Sequence, residues 1–195
     1  MTSTHFQSDR LVLGRSPRDD EVEELASEQG WQRVEEVTED GARQILWTIG
    51  PGTALTYIED PVSHNAYAVL VSEKQEAFDQ ALDVIHDELM PWQPRALLSS
   101  IEQAGDALAR AKAVIRAGLG APDRYDEEFF ARIRDAFESP DKWIREAAVW
   151  ATAYSHWPQY RPLLEAAEQN DPEEKLRSDA AAVLAGFEWQ GVEGP

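Results

Sequence analysis

Three segments in the second half of the chain repeat one pattern. Arg110, Arg145 and Arg177 are each followed three positions later by alanine, at Ala113, Ala148 and Ala180, and the arginines are 35 and 32 residues apart. Recurrence at such a period is the sequence signature of stacked supersecondary units. The last two copies agree further: Ser139, Pro140 and Asp141 precede one, Asp171, Pro172 and Glu173 the other, and Ile144 and Leu176 stand directly before the arginine. Proline is favoured in the first turn of a helix, so each of these copies carries its own start signal. The first copy lacks it. Upstream of each arginine lies another amphipathic stretch with apolar residues three and four apart: Leu97, Leu98 and Ile101; Phe129, Phe130, Ile133 and Phe137; Tyr160, Leu163, Leu164 and Ala167. Each unit therefore reads as a helix pair whose alanine-rich second helix is buried between its neighbours.

Proline near the start of the second helix, an apolar residue, an arginine and a small residue three positions on resemble HEAT-type helical repeats, in particular their short bacterial form, over roughly residues 95–187. The resemblance implies an α-solenoid with units at about 95–118, 125–154 and 157–187, and a role in protein recognition. The periods are shorter than the roughly 40–47 residues of HEAT and armadillo units. The positions of the tetratricopeptide repeat are not reproduced together. An ordinary helical bundle is the alternative arrangement.

Before about residue 72 the pattern is different. The stretches 31–37, 42–49, 54–58 and 65–71 are rich in β-branched and aromatic residues and read as four strands; 10–14 is a short apolar run that suits a fifth. The links 38–41, 50–52 and 59–64 are short and built from turn formers, which favours an antiparallel meander. Val22, Leu25 and Ala26 predict a helix over about 17–29 ended by Gly30. Ala77, Phe78, Ala81, Leu82, Ile85 and Leu89 predict another over about 74–89. Pro91 and Pro94 then break the chain. The expected fold is α+β: a small antiparallel sheet with flanking helices in residues 1–92, followed by all-α HEAT-like repeats in 93–195.

The full sequence of 195 residues holds 18 Lys and Arg against 37 Asp and Glu, a formal charge of −19 that opposes nucleic-acid phosphate and anionic lipid as partners. Apolar runs are far shorter than the roughly 20 residues that cross a bilayer, and the start lacks the plan of a secretory signal, so a cytoplasmic location is expected. Without cysteine there is neither disulfide nor thiolate chemistry. His5, His64, His86 and His156 are scattered and form no metal-ligand motif; Asp79, Asp83, His86 and Asp87 read as the solvated face of a helix. There is no Gly-x-Ser-x-Gly elbow. The glycines at 50, 52, 118 and 120 lack the pattern of a phosphate or dinucleotide loop and read as a turn and a helix end. No metal, cofactor or catalytic residue is assigned, and no enzyme is expected.

Two surface features remain. Between residues 16 and 40, ten acids face only Arg18 and Arg33, a net −8, and Asp19, Asp20, Glu23, Glu24, Glu35 and Glu36 are the candidate partner-binding residues. A field of one sign speeds the encounter with a basic protein. Four of the seven tryptophans, Trp143, Trp150, Trp157 and Trp189, lie in or beside the last two copies. Among them Trp157, between two predicted helices, either seals that joint or presents an anchor to a partner. The leading expectation is a non-catalytic scaffold or adaptor, immunity-protein-like or chaperone-like, that engages a basic protein. The alternative is an enzyme or small-ligand carrier with a site between sheet and repeats, lined by Tyr57, His64, Tyr67 and Trp92.

Overall fold

The computed structural model describes residues 5–189. It divides into two compact units, one ending at Trp92 and one beginning at Gln93. The first is built on a six-stranded antiparallel sheet and the second is helical. Among the described residues no helix is long and apolar enough to cross a membrane.

The first unit runs β1 (Phe6–Gln7), β2 (Leu11–Arg15), α1 (Asp19–Gln29), β3 (Gln32–Glu39), β4 (Ala42–Gly50), β5 (Thr53–Glu59), β6 (Asn65–Ser72) and α2 (Gln75–Leu89). β3 to β6 form the meander that the short links predict, so the sheet order is β1, β6, β5, β4, β3, with β2 also on β6. β1 is an addition to the sequence reading: two residues give no alternation to detect. The turn at Asp40 and Gly41 has φ of 50° and 82°, the left-handed pair of a type I′ hairpin. α1 begins two residues later than expected, with Arg18 as its cap residue, and Gly30 closes it at φ 70°.

Pairing fixes which side chains share a face. Ile45 lies opposite Tyr57 and Trp47 opposite Leu55; Tyr57 lies opposite Ala68 and Leu55 opposite Leu70. These residues form one core with Val22, Leu25 and Ala26 of α1 and Ala81, Ile85 and Leu89 of α2, so both helices cover the same face of the sheet. Removing this apolar surface from water is the main stabilising term.

The second unit comprises α3 (Pro94–Glu102), α4 (Ala107–Leu119), α5 (Glu127–Phe137), α6 (Lys142–Thr152), a 3-10 turn at Pro158–Tyr160, α7 (Arg161–Asn170) and α8 (Glu174–Trp189). Consecutive helices pack as α3 on α4, α5 on α6 and α7 on α8. Across these pairs α4 packs on α6 and α6 on α8, with lighter contact of α3 to α5 and α5 to α7. The alanine stripe permits this: Ala113, Ala117, Ala147, Ala148, Ala151 and Ala180 are buried. One expectation is corrected. Pro140 and Pro172 lie two residues before the first helical residue rather than in the first turn, and Asp141 caps α6 by accepting the Trp143 N–H at 2.9 Å.

Candidate interaction surface

On the helix-covered face, the inward phase of β4 and β5 runs from Trp47 and Leu55 through Ile45 and Tyr57 to a charged pair, Arg43 opposite Glu59. Arg43 donates through Nη1 to Asp19 at 2.6 Å and to Glu59 at 2.9 Å, and through Nε to Glu36 at 2.7 Å. One guanidinium thus joins the first residue of α1, β3 and β5. Its hydrogen bonds hold the Asp19 and Glu36 carboxyls below the ordinary carboxylate range and raise the pKa of the guanidinium itself. Arg33 adds ion pairs to Glu36 and, at 3.7 Å, to Glu23 of α1. Of the sequence-predicted acids, Asp19, Glu23 and Glu36 are therefore brought together by two arginines, while Asp20, Glu24 and Glu35 are exposed beside them. Arg43 and Glu59 were not among the candidates. Their signal was that both continue the alternation of a buried strand face one step past its last apolar residue.

β3 is exposed at every residue, Val34 and Val37 at 58% and 41%, and among the described residues no strand lies beyond it in the sheet. Glu35, Val37 and Glu39 pair with Leu46, Gln44 and Ala42 and so share the pleat face opposite the helices; Glu36 and Thr38 point to the other.

Trp157 is 3% exposed. Its ring stacks on Tyr160 with centroids 5.3 Å apart, meets Tyr125 edge-on at 5.3 Å, and its Nε1–H donates to the Asp123 carbonyl at 3.2 Å. It closes the joint between α6 and α7, the first of the two roles open to it. Burial raises the pKa of the Tyr160 phenol.

The arginines of the last two copies act alike. Arg145 donates through Nη1 to the carbonyls of Ser139 and Pro140 at 3.0 and 3.2 Å; Arg177 donates through Nη1 to those of Asp171 and Pro172 at 2.6 and 3.3 Å. Ser139 Oγ and Asp171 Oδ1 in turn each accept the N–H two residues on. Arg145 also reaches the Asp171 carboxylate with Nε and Nη2. In the first copy the equivalent of Ser139 and Asp171 is Ala104, which has no side-chain acceptor, and Arg110 is exposed.

The four residues named for a pocket are all in the first unit, in different settings. Tyr57 is fully buried, its oxygen accepting the Arg18 N–H at 2.8 Å and its O–H donating to Glu59 at 3.3 Å, and burial raises its pKa. Tyr67 lies opposite Ile58, on the other face of the sheet from Tyr57. His64 is exposed in the loop before β6, with φ of 54°. Trp92 is half-buried, and its N–H donates to the Val12 carbonyl at 2.8 Å. The sheet therefore separates the two tyrosines.

Compared with protein-family models, with curated proteins and with solved structures, the chain matches none.

Proposed function

We propose that the protein is a non-catalytic scaffold that binds a basic protein through the acidic surface of α1 and β3. The observation that carries this reading is the division of labour among the acids. Arg33 and Arg43 hold Glu23, Glu36, Asp19 and Glu59 in a fixed frame, and around it Asp20, Glu24, Glu28, Glu35, Glu39 and Asp40 are exposed. A frame of this kind holds a field of one sign in place, which favours encounter with a cationic surface. The helix pairs of the second unit, with their repeated arginine contacts, support a HEAT-like solenoid, and such a stack extends the area available for recognition. Immunity-protein-like and chaperone-like partners, a nuclease toxin or a cationic client, both suit this surface.

The test compares affinity capture from native lysate by the wild-type chain and by a Glu24→Lys, Glu35→Lys, Glu39→Lys variant. The reading expects a basic protein that is retained at low salt, released as salt rises, and lost from the variant. Equal capture by both chains would refute it.

A further inference from the structure

We propose that β3 takes up an extended segment of the basic partner as an added strand, a mode of binding that rests on the acidic-surface reading above. The Asp40 and Gly41 turn closes a two-residue hairpin, so Glu39 and Ala42, which flank it, exchange both ladder hydrogen bonds, and bonded and non-bonded pairs alternate from there. Thr38 opposite Arg43 and Glu36 opposite Ile45 are then the non-bonded positions, and their N–H and C=O groups point away from β4 to the open side of the sheet. Native sheets usually guard such an edge with short strands, charged side chains, proline or a bulge. β3 is eight residues long without proline, and its one bulge lies between Arg33 and Glu35, leaving Glu35 to Glu39 in regular pairing. The charges along that stretch, Glu35, Glu36 and Glu39, are all negative, a guard against like-charged strands that a basic strand meets as complementary.

Charge selects the occupant. On the face away from the helices β3 presents Glu35, Val37 and Glu39, so the fitting strand carries a basic, an apolar and a basic residue at alternate positions. A second copy of this chain fits poorly: antiparallel pairing centred on Val37 would set Glu35 against Glu39 of the copy twice, and like charges directly opposite are destabilising.

The probe is the seven-residue peptide Thr-Lys-Thr-Val-Thr-Lys-Thr, which as a strand sets lysine, valine and lysine on one face, titrated into the full chain at low salt. It is compared with the same peptide carrying N-methyl groups on all its backbone amides, and with a Thr38→Pro variant of the protein. Proline at position 38 removes an edge donor that β4 does not use. Binding of the plain peptide should slow hydrogen exchange at the Thr38 and Glu36 amides and weaken at least tenfold with either block. Equal binding of the methylated peptide would show adhesion to the acids without strand addition; the edge proposal then fails while the acidic-surface reading stands. The edge proposal fails alone in the same way if the plain peptide does not bind although the Glu-to-Lys variant loses its native partner. Dimerisation of the wild-type chain that Thr38→Pro abolishes would make a second copy the occupant and overturn the proposal. Should the Glu-to-Lys variant keep its partner, the underlying reading itself fails.

Discussion

Arg145 grips the Asp171 carboxylate with two donors, Nε to Oδ2 at 2.7 Å and Nη2 to Oδ1 at 3.1 Å, and so ties α6 to the residue that leads into α8. Both side chains are shielded, 12% and 6% exposed, so the pair is weakly screened. Arg145→Met removes the ion pair and the two carbonyl contacts at Ser139 and Pro140, leaving a shielded carboxylate without its cation. A loss of about 2–4 kcal/mol is expected, at or below the upper range for breaking a buried pair. Urea denaturation followed by circular dichroism measures it, and a double-mutant cycle with Asp171→Asn isolates the coupling. A coupling indistinguishable from zero would mean that this pair contributes nothing to holding the two helix pairs together, and that apolar packing and the Lys175–Glu146 and Lys142–Glu173 pairs do so without it.

The same pair makes stability depend on acid. The Arg145 guanidinium lowers the Asp171 pKa from its ordinary 3.8. A depressed carboxyl contributes its full stabilisation above the unfolded value and loses it as pH falls through the lower folded value. The stability gap between wild type and Asp171→Asn should therefore be constant from neutral pH down to about 4, then shrink as the solution is made more acidic. Denaturation midpoints collected for both chains across that range check the sign. A gap that stays constant well below pH 4, or widens there, would contradict the assignment.

Arg43 differs from Arg145 because its partners are more exposed and their free energies are screened by solvent. Arg43→Gln removes the cation around which Asp19, Glu36 and Glu59 gather. The carboxyl pKa values of Asp19 and Glu36 should rise toward the ordinary range, since the Arg43 contacts that lower them most vanish, while the backbone N–H groups at Asp19 and Asp20 and the Arg33 charge beside Glu36 keep part of the lowering. Titration of the side-chain carboxyl signals by NMR reads this directly, and added salt should reduce the rise. Unmoved titrations would show that Arg33 or solvent already dominates at these groups.

The sheet was legible because its determinants are local. Gly41 behind Asp40, the apolar alternation through Ile45 and Trp47, and Leu55 and Tyr57 two apart each announce themselves within a few residues. The helix pairs were legible from apolar spacing for the same reason. What escaped were relations between distant positions. Nothing near Arg43 names Asp19 or Glu59, 24 and 16 residues away, until pairing puts them side by side. The exposure of β3 was hidden as well, because alternation alone does not show which strand lies at the edge. Asp171 was visible only as a residue near a helix start. Its role as acceptor for both Arg145 and Arg177 depends on how α6 and α8 meet. Pro140 and Pro172 were misplaced by two residues since a proline just before a cap and one in the first turn look alike in sequence.

The helical unit closes most tightly where α4 meets α6. A Cβ on Gly118 of α4 would stand 2.5 Å from the Ala151 Cβ of α6, and 2.6 Å from both the Ala151 Cα and its carbonyl oxygen. Gly118 is buried within a helix, where alanine would ordinarily be preferred by up to about 1 kcal/mol. The helix does end here, with Gly120 as its cap as the sequence suggests, and Gly118, two residues earlier, sits where the two helices approach closely. Gly118→Ala gains the propensity but forces α4 away from α6. The cost of such overpacking, typically about 1–3 kcal/mol and more when backbone must move, outweighs the gain. A net fall in melting temperature is expected. Ala151→Gly in the same chain removes one clashing atom yet leaves Cα and the carbonyl in place, so it should restore only part of the loss. A Gly118→Ala variant as stable as wild type would show that α4 and α6 do not close on each other at this position.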